Sequence, residues 1–227
     1  VNKLTKRTIC SKIASVYDVF GFVSPYLIRA KVLLQDLWKD GLSWDSEVGD
    51  EVAKVFRKWE SELLRLPEIK VPRCLRPSNI QVKSIELCGF SDASVDAYGT
   101  MIYLRGTSTT GQIWTKFIIA KTRVAPIKQI TVARLELMGA VCLVNLMQYT
   151  IEALQHIGIE VNQIHAWLDS EIALARIAKP SSNWRTFVSN HVQQIHDLFP
   201  TNIWKFCPGF QNPADKARQT SNGKFAS

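Results

Sequence analysis

Cysteine is scarce in this chain, and what there is lacks pattern. Cys10, Cys74, Cys88, Cys142 and Cys207 are odd in number, scattered through 227 residues, and form no C-x-x-C pair. A structural zinc site or disulfide framework is therefore not expected. Free thiols fit a reducing compartment, so the chain reads as intracellular and not secreted. No uninterrupted apolar run reaches the length of a membrane span, and no membrane partner is expected. The opening residues, Val1-Asn2-Lys3-Leu4-Thr5-Lys6-Arg7, hold neither an initiating Met nor an apolar signal core. They read as the start of an excerpt from a longer protein. Acidic residues are the minority charge, 20 against 28 basic ones, for a net charge of +8 and a pI near 9.3. That balance suits a polyanionic partner, although a merely soluble basic protein shares it. With 46% hydrophobic residues the chain has enough apolar surface for a core, which argues against disorder. Its length allows one or two domains.

The chain reads in three parts. Residues 1–66 carry helical periodicity. Ile9, Ile13, Val16 and Phe20 predict a helix over 8–19 that stops at Gly21. Ser24-Pro25 reads as an N-cap followed by a first-turn proline, opening a helix over 25–39 that buries Leu27, Ala30, Leu33, Leu34 and Leu37. Asp45 or Ser46 is a cap for a third helix whose stripe is Val52, Val55, Phe56, Trp59, Leu63 and Leu66. This stripe is core by its spacing, and no chemistry is visible here. Residues 67–84 contain Pro67, Pro72 and Pro77 among Lys70, Arg73, Arg76 and Lys83, which reads as a basic linker.

From residue 85 the pattern changes. Three strands are predicted over 85–92, 97–104 and 112–120, with a turn over 106–111. A helix follows over 132–154, a fourth strand over 163–169, helices over 171–178 and 184–198, a fifth strand over 203–207, and a last helix from Pro213. This order implies an α/β unit over 85–227: a mixed five-stranded sheet with helices on its faces, preceded by the small helical unit.

Four acids stand at element ends or within a helix in that order. Asp92 ends the apolar run 85–90, Glu136 sits among Leu135, Leu137 and Met138, Asp169 ends the run 164–168, and Asp215 follows Asn212-Pro213-Ala214. Each also has a plain reading: a turn residue, a solvated helix residue, a helix cap and a first-turn acid favoured by the helix dipole. Taken together they form the donor set that two divalent cations about 4 Å apart require to activate a water and stabilise a leaving phosphodiester oxygen. Magnesium or manganese would take such hard oxygen ligands.

These same stretches carry a resemblance. F-S-D-A-S at 90–94, T-x-x-R-x-E-L at 131–137, W-L-D-S at 167–170 and N-P-A-D at 212–215 resemble the ribonuclease H motifs of Bel/Pao-type LTR retrotransposon polyproteins. The stretch 120–126 resembles the A-K-S/T-R-V-A-P segment of these elements. Residues 11–25 are similar to the segment that follows the reverse-transcriptase palm, with Asp18-Val19 where Asp-Pro is usual. The resemblance implies a ribonuclease-H-like fold, with Asp92, Glu136, Asp169 and Asp215 as catalytic ligands of two Mg²⁺ or Mn²⁺ ions. It implies an RNA–DNA hybrid as substrate, the palm region of the same polyprotein as a partner, and a location in cytoplasmic virus-like particles or the nucleus. Ser94, Thr131, Arg134 and Ser170 lie beside the acids and are candidate nucleic-acid contacts.

The palm's catalytic aspartates are absent, so polymerisation is not assigned. Asp-Thr-Gly and Asp-Ser-Gly are absent too, which removes the aspartic peptidase that the family label "Pao retrotransposon peptidase" suggests. Two departures stand out. Phe206 occupies the place of a histidine that related sequences carry. Lys216-Ala217-Arg218-Gln219-Thr220 replaces the usual Leu-Ala-S/T-Arg-Gly after the fourth acid. Three readings follow: a hybrid-cleaving nuclease, a non-catalytic module that holds template and primer, and a structural spacer of the polyprotein.

Overall fold

The structure is a computed structural model that describes residues 3–77 and 80–215. Three helices come first: α1 (Lys6–Ala14), α2 (Ser24–Lys39) and α3 (Asp50–Leu63). Thr5 and Thr8 close a capping box over α1. This helix is shorter than its periodicity suggests. Val16 is only partly buried, and Phe20 stays 55% exposed outside the helix. The cause is Asp18, whose two carboxylate oxygens accept the amides of Phe22 (2.9 Å) and Val23 (3.0 Å). They wind 18–23 into a loop that turns at Gly21, φ +72°. Asp18 thus supplies the capping chemistry expected of Ser24, which is the first helical residue, with Val23 at the cap position. The third helix likewise starts later than expected, with Gly49 at its cap position; Asp45 pairs with Arg7, and Glu47 and Val48 bridge the chain at Thr5 and Leu4 before the helix begins. Ile9, Ile13, Leu27, Phe56 and Trp59 form the core of this bundle.

The sheet is built from β1 (Val82–Ala93), β2 (Ala97–Ser108), β3 (Ile113–Val124), β4 (Gln163–Leu168) and β5 (Trp204–Phe206). Its order is β3-β2-β1-β4-β5. The β1–β2 and β2–β3 pairs are antiparallel, and β4 is parallel to both β1 and β5. The mixed five-stranded sheet expected from the sequence is therefore present, with longer hairpins. Gly106 does not start a turn: it lies within β2, where an added Cβ would sit 2.1 Å from the Trp114 indole. The turn tightens later, at Gly111, φ +84°.

Helix α4 (Val132–His156) crosses the inner face of the sheet, flanked by α5 (Glu171–Ile177) and α6 (Thr186–Leu198). By length and composition α4 alone among the described residues could cross a membrane. It is instead the core helix: Leu137, Ala140, Leu143, Val144 and Met147 pack on Leu87, Ile102, Leu104, Ala166 and Leu168. Odd-numbered residues of β1 face it. Gly89 is required there, because a Cβ would lie 2.8 Å from both Leu143 Cδ1 and Met147 Sδ. The opposite face carries an aromatic row across four strands, Phe117–Tyr103–Phe90–Trp167, with ring centroids 5.6, 6.0 and 4.8 Å apart. At the β2–β3 side α2 covers this outer face, burying Ile28 and Val32 against Ala97 and Val124.

Candidate metal centre

The register of β1 on β4 builds the site. Ser91 pairs with Leu168 in a parallel ladder. The next residue on each strand, Asp92 and Asp169, therefore emerges at the same carboxyl edge. Glu136 is in the second turn of α4, the helix that starts above that edge. Asp92, Glu136 and Asp169 each place a ligand oxygen such that all three lie within 4.8 Å of one another. Asp92 is fully buried, Glu136 is 7% exposed and Asp169 is half-buried. Carboxylates held this close repel strongly in a poorly solvated place unless a cation balances them.

The surroundings fit a cation. The donors are hard oxygens throughout, and Asp169 Oδ1 is buried with no hydrogen-bond partner among the described residues. Its other oxygen is backed by Gly209, where a Cβ would lie 3.4 Å from Oδ2. The neighbouring Cys207 thiol is pushed up by burial and by the Asp169 carboxylate. These three carboxylates could hold a metal ion.

Asp215 lies at the end of the described chain, half-buried, with its amide on Asn212 O at 3.1 Å. It is not among the three oxygen donors brought within 4.8 Å. Its segment is nonetheless tied to the site. Asn212 is 3% exposed; its Nδ2 donates to Ser91 O at 2.9 Å, and its Oδ1 accepts from the Ala214 amide at 3.0 Å. Ala214 and Asp215 begin a helical turn. The remainder of the expected last helix, and the departure at 216–220, lie outside the described residues.

The four expected nucleic-acid contacts divide into two kinds. Ser94 spends its hydroxyl on the β1–β2 turn, accepting from the amides of Asp96 and Ala97. Ser170 caps α5, accepting from the Ala173 amide at 3.2 Å. Thr131 and Arg134 are exposed at the start of α4, and the Arg134 guanidinium lies 4.9 Å from the Phe187 ring centroid. Phe206 ends β5, opposite Leu168, and is 49% exposed. The chain's four histidines, His156, His165, His191 and His196, are all elsewhere: His156 and His191 bond their own helices, His196 reaches Ile177 O, and His165 faces Glu86.

Three positioning residues escaped the sequence reading. Gly139 lets α4 approach β1 beside the acids: a Cβ there would lie 2.6 Å from Ser91 Oγ. Ser91 is fully buried, and its Oγ has no hydrogen-bond partner among the described residues. Asn212 is the clamp described above. A glycine one turn after Glu136 in a helix interior was the available signal, since such a glycine usually has a packing reason.

The family model for the Pao retrotransposon-like RNaseH-like domain matches residues 5–170, from α1 to the residue after Asp169. No curated protein matches the chain. Several solved RNase H structures are similar at low identity. The N-terminal RNase H domain of a Mycobacterium tuberculosis protein, solved as a fusion with maltose-binding protein, is 12% identical with a TM-score of 0.37. The match covers 60% of this chain and 91% of that one. RNase H1 of the archaeon Halobacterium salinarum is 12% identical with a TM-score of 0.32, over 60% and 90%. LC11-RNase H1, solved in complex with an RNA/DNA hybrid, is 10% identical with a TM-score of 0.38, over 59% and 93%.

Proposed function

Because this chain belongs to the Pao retrotransposon-like RNaseH-like domain family, we propose that it is a metal-dependent ribonuclease cutting the RNA strand of an RNA–DNA hybrid. The observation that supports this reading is the convergence of Asp92, Glu136 and Asp169 oxygens within 4.8 Å at one sheet edge. In this reading they hold two Mg²⁺ or Mn²⁺ ions, with Asp215 as the fourth ligand on the segment clamped by Asn212. Bound there, the ions supply an activated water and charge balance for the oxygens of an in-line displacement. The chain's own residues supply rigidity. Asp92 lies on β1 and Asp169 directly follows the neighbouring parallel strand β4, while Glu136 rides on a helix packed against β1 and β2. Each is thus held where a loop would let it drift. Thr131 and Arg134 flank Glu136 on the surface and are the contacts we assign to the RNA strand. Its 2′-hydroxyls are what separate a hybrid from duplex DNA. The free thiols suit an intracellular setting, which we take as the place of action.

The test is cleavage of an end-labelled hybrid in magnesium. The RNA strand is expected to be cut and the DNA strand left whole. Asp169→Asn and Glu136→Gln are expected to lower the rate by orders of magnitude while the far-ultraviolet circular dichroism stays unchanged. Equal cutting of duplex DNA, or full activity in Asp169→Asn, sinks the reading. One observation favours a second role, a module that holds hybrid without cutting it: an exposed Phe206, paired with Leu168, where the resemblance implies an imidazole. Salt-dependent hybrid binding with no cleavage in magnesium or manganese would select it.

A further inference from the structure

A second concave surface lies on the open edge of β3. It is a groove of about 770 Å³ between the loop that precedes α2, β3 and the flank of α4, where Asn145 and Tyr149 lie. Lys31, Lys121 and Arg123 line it, and Asp18 is its one carboxylate among the described residues. Asp18 is already occupied by the amides of Phe22 and Val23. The groove therefore presents three cations to its contents.

The strand edge adds a donor. Phe20 covers β3 by accepting the Ala120 amide at 2.9 Å. The chain then leaves the edge at Gly21, where a Cβ would collide with Ala120 O. Outward-pointing amides alternate along an antiparallel strand. The N–H of Thr122 therefore points the same way as that of Ala120, just past the covered stretch and between Lys121 and Arg123. An open sheet edge beside cations is an anion-binding surface.

Register ties this groove to the carboxylates. Asp92 pairs with Gly99, and Gly99 pairs with Thr122. The three form one row across β1, β2 and β3, so Thr122 stands two strand spacings from Asp92, about 10 Å. One strand of duplex carries a charge about every 3.4 Å along the axis. A duplex held at the carboxylates with its axis along this row would have phosphates roughly three steps away, level with the groove.

We propose that this groove is a second nucleic-acid contact, which seats phosphates of a bound duplex through Lys31, Lys121, Arg123 and the Thr122 amide. It joins the N-terminal helices to the sheet domain in one binding surface. The choice of hybrid as ligand rests on the function proposed above; the phosphate contact itself does not require cleavage.

The test is fluorescence-anisotropy titration of a labelled RNA–DNA hybrid with the full chain, without divalent metal, over a salt series. Lys121→Ala/Arg123→Ala is expected to lower affinity about tenfold and to reduce the slope of log K against log salt by about two. Lys31→Ala, on a different element, is expected to reduce the slope by about one. Its agreement would separate a lost contact from a local misfolding of β3. Lys54→Ala, on α3 outside the groove, is expected to bind as the unmodified chain does. Unchanged affinity and slope in both groove variants overturns the proposal. Variant-sensitive capture of an oligoglutamate peptide, with hybrid affinity unchanged, also overturns it, because the occupant would then be an acidic peptide. Variant-sensitive hybrid binding in a chain that never cleaves sinks only the nuclease reading. Cleavage with variant-insensitive binding sinks only the groove.

Discussion

A single methyl group is the right scale at which to judge how the acids are held. At Gly139 an added Cβ would sit 2.6 Å from Ser91 Oγ but 3.9 Å from Ser91 Cβ. The obstacle is therefore one oxygen, and that oxygen makes no hydrogen bond among the described residues. Alanine is preferred over glycine in a helix interior by roughly 1 kcal/mol, but the collision opposes that gain. Gly139→Ala is expected to lower the melting temperature in the native background and to raise it in a Ser91→Ala background. A double-mutant cycle read by thermal unfolding measures this reversal, and additive effects would refute it. The carboxylates make their own prediction. A ligand that binds only the folded state stabilises it by RT ln(1 + [L]/Kd), about 1.4 kcal/mol at ten times Kd. Millimolar magnesium or manganese is expected to raise the melting temperature, chelation to reverse the rise, and Asp169→Asn to abolish it.

At the scale of elements, the outer face near the amino ends of β1 and β4 carries a polar cluster. Arg105 Nη1 donates to Glu86 Oε1 at 2.5 Å, His165 lies 3.6 Å from the other Glu86 oxygen, and Lys205 Nζ is 3.3 Å from His165 Nδ1. Burial, then Lys205, holds His165 below its ordinary value of 6.5, against a smaller pull upward from Glu86. The unfolded chain thus binds that proton more readily than the folded one. The corresponding stability is present above pH 6.5 and is lost as the pH falls through and below it. Urea unfolding of the native chain is expected to show a decline between pH 7 and pH 5 that His165→Gln makes shallower. Identical slopes would show that His165 does not drive the decline. The cluster is remote from the carboxylates, so cleavage is not expected to follow it.

At the scale of the whole molecule, the two parts of the chain share a boundary core. The helical part has its own cluster around Phe56 and Trp59, yet Ile28 and Val32 of α2 are buried against Ala97 and Val124 of the sheet. Gln35 Nε2 adds a bond to Ala125 O at 2.5 Å. We expect calorimetry to give one transition for both parts. Ile28→Ala is expected to cost about 2–5 kcal/mol, the range for emptying a buried aliphatic site. Two resolved transitions, with the upper one unmoved by Ile28→Ala, would mean that the helices and the sheet melt independently.

The apolar run of 85–90, the long apolar period of 132–154 and the acids that follow or interrupt them were legible without coordinates. Each depends on local spacing, since a period of 2 or 3.6 fixes which residues share a face. From these the mixed sheet, its helices and the three carboxylates that converge, Asp92, Glu136 and Asp169, follow. At two places a contact from elsewhere in the fold overrode the local pattern. Gly106 looked like a turn until Trp114 lay over it, and 8–19 looked like one helix until Asp18 bound two amides ahead of it. No single stretch records that Ser91 pairs with Leu168, yet that register puts Asp92 beside Asp169. Likewise α2 carries a second apolar face, Ile28 and Val32, whose purpose appears only when β3 lies beneath it. Residue type and local period are local and therefore readable; register and docking depend on contacts between residues far apart in the chain, and only the folded structure decides them.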